Sequence, residues 1–236
     1  MCTECANLSR RRFLSHAAAG VAAAGLLGGA IAARAAEGTT VTADEALAKL
    51  KAGNAKFVSA PEMCAIDMSK QRADVAKGQS PWATILACSD SRAPPELIFG
   101  GAGLGELFVA RNAGAMADTA TMGTIEYGAD HLGVPLIVVL GHERCGAVTA
   151  ACDVVEKHTK LPGSIAPMVN AIVPAALAMH GKPGDFVDNV VRESAKRTAA
   201  KIATQSKIVA GLVKVGKVKV VYARYDLDSG AVEFLG

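Results

Sequence analysis

Two short segments of the chain combine residues that can bind a metal ion and act on a substrate. Residues 88–92 read CSDSR, and residues 141–146 read GHERCG. In the second segment His142 and Cys145 are three residues apart, a spacing that places both side chains on one face if the chain turns helical there. Imidazole and thiolate ligands suit zinc. The two segments together therefore predict a zinc site.

The number of protein ligands decides which kind of zinc site this is. Cys88, His142 and Cys145 alone leave one tetrahedral position for water, which is the arrangement of a catalytic zinc. Asp90 as a fourth ligand would close the shell, as in a structural site. The residues by themselves leave both arrangements open.

Asp90 and Arg92 carry opposite charges and are separated by one residue of a predicted loop. A guanidinium bound to a carboxylate keeps that carboxylate ionised and fixes its direction. An oriented carboxylate can accept a hydrogen bond from an attacking water or hydroxide. We therefore predict a catalytic pair, the alternative being an ordinary surface ion pair that contributes little stability.

Apolar runs predict the strands that must position these segments. Three short apolar runs predict strands, over 83–88, 107–110 and 136–140. The third has five aliphatic residues without alternation, as expected of a strand covered on both faces. A further strand over 217–225 precedes a turn at 228–230 and an antiparallel edge strand over 231–235. Helical spacing occurs before the first strand, at 43–57 and within 61–81. It occurs again after the second and third strands, at 120–131, at 147–157 and over a long region at 185–215.

Strands that alternate with helices predict a single α/β domain, with a mainly parallel sheet flanked by helices and an antiparallel C-terminal edge strand. Ligands of open α/β sheets bind beyond the carboxyl ends of the strands. The segments that follow the first and third strands should therefore meet at one edge. Cys145 would begin the helix at 147–157, where the helix dipole favours a thiolate.

The composition excludes several classes of protein. The 236 residues are 51% hydrophobic, 20% charged and 4% aromatic, which rules out a disordered acidic chain. Six cysteines are too few for a disulfide scaffold but enough for one metal site. The net charge of +3 comes from residues 1–35, since residues 36–236 carry 21 basic and 21 acidic side chains. We therefore expect no nucleic-acid partner.

Residues 1–35 have the layout of a bacterial export signal. A basic start that includes Arg10 and Arg11 precedes an Ala/Gly-rich stretch over 17–33, which ends in the small-x-small triplet 33–35. The paired arginines followed by Phe-Leu resemble the twin-arginine motif. We predict recognition by the twin-arginine export machinery and a periplasmic, or otherwise exported, mature domain over 36–236. A membrane anchor is the alternative, but the stretch is short and only weakly apolar, so no stable insertion is expected after cleavage.

The two metal motifs, at this separation, resemble those of the β-class carbonic anhydrases. The resemblance covers most of the chain after residue 35 and includes Leu50–Asn54, Arg111–Gly114 and Tyr225–Leu235. It implies one zinc ion per chain and reversible hydration of carbon dioxide to bicarbonate and a proton. In the family, two cysteines and a histidine bind zinc, and an aspartate and an arginine form the dyad. These roles fall on Cys88, His142 and Cys145, and on Asp90 and Arg92. In some members the aspartate also occupies the fourth zinc position.

The resemblance extends to the substrate pocket of the plant-like members. It implies that Gln79 donates a hydrogen bond to the substrate and that Phe108 and Tyr127 line its apolar side. It also implies a homodimer or a dimer of dimers, with the amino-terminal helix lying over the partner. Ala115 follows Gly114 where the family often has asparagine, which makes the role of that loop less certain.

Two other functions fit the same residues. Some relatives hydrolyse carbon disulfide or carbonyl sulfide, and a zinc module without catalytic activity would need no Arg92. A thiol redox protein is disfavoured because Cys2 and Cys5 form a CxxC within the predicted signal, whereas residues 36–236 contain none. A disulfide between Cys64 and Cys152 is neither predicted nor excluded.

Overall fold

The computed structural model describes residues 39–60 and 68–236. The predicted signal and residues 61–67, which include Cys64, lie outside these residues. The helices in chain order are α1 (Ala43–Ser59), α2 (Met68–Val75), α3 (Pro95–Ile98), α4 (Thr119–Asp130), α5 (Gly146–Lys157), α6 (Ile165–Asn170), α7 (Val173–Met179), α8 (Phe186–Gln205) and α9 (Lys207–Lys214). The strands are β1 (Ala83–Cys88), β2 (Leu107–Asn112), β3 (Leu136–His142), β4 (Lys219–Tyr225) and β5 (Val232–Phe234).

The strands form one five-stranded sheet in the order β2-β1-β3-β4-β5. The first four strands are parallel, and β5 pairs with β4 in the antiparallel direction. β1 is buried along its whole length, because helices cover both faces of the sheet and its run of apolar residues tolerates that burial. The predicted α/β fold, with its mainly parallel sheet and antiparallel edge strand, is confirmed.

Helices pack on both faces of this sheet. On one face Leu50 of α1 packs in a cluster with Ile85 and Val138. On the other face Ile202 of α8 packs with Leu86, in a cluster to which α4 and α9 also contribute. Neighbouring residues of β1 thus face opposite layers, as the period of two along a strand requires. No helix in the described part of the chain is long and apolar enough to cross a membrane.

Helix α1 is bound to its own chain. Thr42 and Glu45 form a capping box at its start, which satisfies two backbone donors. Further along the helix, the Asn54 amide donates to the carbonyls of Ile98 at 3.2 Å and Gly230 at 2.8 Å, and its oxygen accepts the Val232 N–H at 2.8 Å. Leu50 of α1 also packs within the chain, and the predicted contact of this helix with a partner stays a prediction.

The long helical region predicted over 185–215 is two helices. Ser206 separates α8 from α9 with an extended backbone, and its hydroxyl accepts the Val209 N–H at 3.1 Å as an N-cap. The same hydroxyl donates to Glu126 of α4 at 2.6 Å. The break therefore depends on a contact with a residue that is distant in sequence, and local helical periodicity does not reveal it.

The chain order of the strands places a crevice between β1 and β3. From β1 the chain crosses to β2 on one side, and it then returns to form β3 on the other side. Such a reversal separates the loops at the carboxyl ends of the two central strands, which is where open α/β sheets bind ligands. β1 ends at Cys88 and β3 ends at His142, so the fold brings the two predicted segments to this point.

Candidate metal centre

Three potential metal donors converge at the carboxyl edge of the sheet. The sulfurs of Cys88 and Cys145 and a ring nitrogen of His142 lie within 4.8 Å of one another. All three residues are buried, with 6%, 2% and 1% exposure respectively. The two sulfurs are 3.9 Å apart, and two sulfurs bound tetrahedrally to zinc at about 2.3 Å would be about 3.8 Å apart. The types of the donors and the separation of the two sulfurs therefore fit a zinc ion.

The imidazole of His142 is oriented for metal binding. Its Nδ1 lies 2.9 Å from the Glu143 carbonyl oxygen. A carbonyl only accepts hydrogen bonds, so Nδ1 carries the proton and Nε2 keeps its lone pair. Nε2 is buried and has no hydrogen-bond partner among the described residues. A buried nitrogen of this kind needs a partner, and a metal ion is the partner that the neighbouring sulfurs favour.

The environment has opposite effects on the pKa values of the two thiols. The hydrogen bond from Cys145 lowers the pKa of Cys88 despite its burial, and the Gly114 N–H, 3.4 Å from the sulfur, lowers it further. The pKa of Cys145 is raised by the same sulfur–sulfur hydrogen bond and by burial. Cys145 precedes α5, as predicted, and the backbone N–H groups of Ala147 and Val148 at the helix start lower its pKa against these effects.

Asp90 and Arg92 form the predicted pair. Arg92 Nε donates to Asp90 Oδ1 at 3.0 Å and its Nη2 donates to Oδ2 at 2.8 Å, while the backbone N–H of Arg92 also reaches Oδ1, at 2.9 Å. These donors hold the pKa of the Asp90 carboxyl well below its usual range. Oδ2 is also 3.9 Å from Nε2 of His142. Asp90 thus lies beside the three donors while its carboxylate is bound to Arg92. This corresponds to the arrangement in which the aspartate is not the fourth metal ligand.

Arg111 supports the loop of residues 88–92 from the neighbouring strand. Its Nε donates to the Cys88 carbonyl at 2.8 Å and its Nη2 donates to the Asp90 carbonyl at 2.7 Å. Sequence reasoning gave Arg111 no such role, although it belongs to a segment that carried the family resemblance. The strand register that pairs Arg111 with Ala87, the residue before Cys88, brings it to this loop, and apolar periodicity does not give that register.

The three predicted pocket residues do not line the metal centre of their own chain. Phe108 lies opposite Thr84 in the sheet, four residues before Cys88, which is about 13 Å along the strand. The ring of Tyr127 lies 6.1 Å from that of Phe108, and Tyr127 is 47% exposed. Gln79 is an exposed residue that precedes β1. The structure brings the two aromatic side chains together, but at a distance from the metal ligands.

The fold and the site define a class of protein. The mainly parallel sheet of this chain is similar to that of solved β-class carbonic anhydrases. The Coccomyxa enzyme in complex with acetazolamide is 29% identical, with a TM-score of 0.63 over 74% of this chain and 81% of that one.

Sequence comparison is consistent with this class. Residues 83–232 match the family model for carbonic anhydrase. Carbonic anhydrase 2 of Mycobacterium tuberculosis is 37% identical over 181 residues, which cover 77% of this chain and 87% of that protein. The carbonic anhydrase of Mycolicibacterium smegmatis is 35% identical over 184 residues, 78% of this chain and 89% of its own. The chain belongs to the carbonic anhydrase family, whose reaction is the reversible hydration of carbon dioxide to bicarbonate and a proton.

Proposed function

We propose that the chain hydrates carbon dioxide with one zinc ion per chain, held by Cys88, His142 and Cys145. The observation that carries this proposal is the convergence of three buried donors beside an arginine-bound carboxylate. Zinc in such a site lowers the pKa of a coordinated water toward neutrality and so provides hydroxide at ordinary pH. The protein's own contribution is to place that oxygen and the substrate.

Asp90 has the role of orienting the attacking oxygen. Its ionised carboxylate accepts a hydrogen bond from that oxygen and leaves a lone pair of the oxygen directed at the carbon of carbon dioxide. Arg92 fixes the carboxylate through two N–H donors, so that little reorganisation is needed during the reaction. The Arg92 guanidinium is 53% exposed, so the pair lies where substrate enters from solvent.

A homodimer would complete the substrate pocket. Gln79, Phe108 and Tyr127 are distant from the metal ligands of their own chain, so they can serve a metal centre only if it belongs to a second copy. The exposed Tyr127 and the half-buried Phe108 beside it offer an apolar surface suited to carbon dioxide, and Gln79 adds a hydrogen-bond donor. The plant-like pocket and the dimer, or dimer of dimers, are therefore parts of one proposal.

Export through the twin-arginine pathway is proposed from residues 1–35 alone. Arg10 and Arg11 stand before Phe13 and Leu14 and the apolar stretch over 17–33. That pathway carries folded proteins, so zinc would be bound before export. Replacing Arg10 and Arg11 by lysine should leave the precursor in the cytoplasm. Undiminished periplasmic recovery of this double variant would refute the proposed route.

The function is tested by zinc analysis and stopped-flow hydration of carbon dioxide on one preparation of residues 36–236. We expect one zinc per chain and hydration that stops when zinc is removed. Turnover of carbon disulfide or carbonyl sulfide, without carbon dioxide hydration, would favour the hydrolase alternative. Bound zinc with no turnover, and no effect of Asp90→Ala on any reaction, would instead indicate a non-catalytic zinc module.

A further inference from the structure

The loop between two of the metal donors has a conformation that an ordinary side chain disfavours. Arg144, between His142 and Cys145, has a φ angle of 51°. This is the left-handed region, which non-glycine residues seldom occupy and which persists only where the surroundings enforce it. The backbone of this loop sets the positions of two donors. The contacts that enforce its conformation therefore bear directly on metal binding.

One of these contacts is an ion pair with the turn after β4. Arg144 Nη2 donates to Asp228 Oδ1 at 2.6 Å and its Nη1 donates to Oδ2 at 2.9 Å. The turn itself is well braced, because Asp226 Oδ1 accepts the N–H groups of Asp228 at 3.2 Å and Ser229 at 2.8 Å. Arg144 is thus attached to a turn that is already held in place by hydrogen bonds within the turn.

Glu143 makes the remaining contacts and also binds the histidine. Its Oε2 accepts the Leu227 N–H at 3.0 Å, its Oε1 accepts from Arg144 at 3.1 Å, and its backbone N–H donates to the Tyr225 carbonyl at 2.9 Å. Its own carbonyl accepts the Nδ1 proton of His142. The peptide that orients the imidazole is therefore fixed by a side chain that is only 18% exposed.

We propose that Glu143 is a positioning residue for the metal centre. By binding Leu227 and Arg144, its carboxylate keeps its carbonyl against Nδ1 of His142 and leaves Nε2 directed toward Cys88 and Cys145. This inference rests on the zinc site proposed above and adds to it the means by which the donors are arranged in advance. Its consequence is slow release of the metal.

The test measures zinc release from the loaded protein into a chelator in excess. Replacing Glu143 by alanine removes the contacts of the carboxylate with Leu227, Arg144 and Arg224. We expect release about 10 to 100 times faster than in wild type, the effect usual for a lost partner of a metal ligand. E143Q should release zinc at an intermediate rate, because its amide oxygen still accepts the Leu227 N–H. The visible absorption of Co²⁺-loaded E143A should also differ from that of wild type, which shows altered ligand geometry directly.

E193A is the matched control. Glu193 is 17% exposed and bonds an arginine, Arg197, at 2.6 Å, so its loss imposes a similar structural change away from the loop. We expect wild-type zinc release and a wild-type Co²⁺ spectrum from it. If E143A does not fold, E143Q replaces it, because the amide fills the same space and changes only the contacts of the Glu143 carboxylate.

Zinc release at the wild-type rate in E143A, or in E143Q where E143A does not fold, would overturn the inference. Equal acceleration in E193A would also overturn it, since general destabilisation would then explain the effect. A wild-type protein that binds no zinc is a different failure, because it contradicts the proposed function itself, and zinc analysis detects it before any variant is compared.

Discussion

The two loops that supply the metal donors are built differently. The loop after β1 is held through its backbone, since Arg111 binds the carbonyls of Cys88 and Asp90. This leaves Asp90 and Arg92 paired with each other beside solvent. In the loop after β3 the side chains between the donors are themselves used for support, because Glu143 and Arg144 bind the turn that follows β4. The loop after β1 therefore leaves its polar side chains for the proposed chemistry. The loop after β3 uses its polar side chains to hold the proposed metal ligands in place.

This contrast predicts that a change to a metal donor removes the metal and all activity. Cys145→Ser should lose zinc and reduce carbon dioxide hydration to the uncatalysed rate, because a hydroxyl is a poor zinc ligand at neutral pH. The measurements are metal content and stopped-flow hydration. Cys152→Ser is the control, since Cys152 is a buried free thiol on the same helix outside the donor group. A fully active, zinc-free Cys145→Ser protein would show that the site is not the catalytic centre.

Changes to the pair in the loop after β1 should instead reduce turnover while zinc is retained. Asp90→Asn removes the ionised acceptor, and we expect hydration to fall about 10²- to 10⁴-fold, the usual contribution of a positioned acid–base group. Zinc content is measured on the same sample. Loss of zinc together with activity would mean that Asp90 supports the metal rather than the attacking oxygen.

Arg92→Lys separates charge from orientation within the same pair. Without Arg92 the pKa of Asp90 would return toward its ordinary value near 3.9, so the carboxylate would still be ionised at neutral pH. Any loss of activity must then come from lost orientation, and lysine cannot replace the two-pronged contact. We expect activity reduced about tenfold or more, at all pH values from mild acid to mild alkali, with no new acidic limb near neutrality. A variant as active as wild type would disprove the dyad mechanism.

The sequence predicts the features of the fold and the site that depend on residues close together along the chain. Unbroken apolar runs identify the central strands, and the metal donors follow directly where those strands end. It does not predict contacts between residues that are distant along the chain. Ser206 ends a helix while it bonds Glu126, Asn54 binds a strand at the other end of the chain, and Glu143 binds a turn 84 residues later. The separation of Phe108 from Cys88 likewise depends on strand register, which apolar periodicity does not give.

Mixing a weakly active variant with an inactive one would test whether the pocket lies across a dimer interface. Tyr127→Ala should be about tenfold less active through loss of apolar contact with the substrate, and Cys145→Ser should be inactive. In a mixed dimer, the intact metal centre of the Tyr127→Ala chain would face the intact Tyr127 of the other chain. We expect activity to rise on mixing after subunit exchange. No rise in a mixture shown by mass to contain mixed dimers would place Tyr127 outside the pocket.

The smallest expected effect concerns Asp188 of α8, which forms ion pairs at the end of β4, near the loop after β3. Burial raises the pKa of Asp188, but its ion pairs with Arg192 and Arg224 lower it overall. Because the folded pKa is the lower one, the unfolded chain takes up the proton more readily as the pH falls. The stability that these pairs give is therefore present above about pH 4 to 5 and lost below it. Asp188→Asn should lower the free energy of unfolding by about 1 to 3 kcal/mol at pH 7, with zinc binding and turnover little changed. Urea unfolding should show that the difference in the free energy of unfolding between wild type and Asp188→Asn is smaller at pH 3 than at pH 7. Loss of zinc in acid affects both proteins alike.

Asp153→Asn is the control. It breaks an exposed pair with Lys157 on α5 and should change the free energy of unfolding by less than about 0.5 kcal/mol. An equal difference in the free energy of unfolding between wild type and Asp188→Asn at both pH values would mean that the charge of Asp188 contributes no stability. The loop after β3 would then depend on its own contacts with the turn alone.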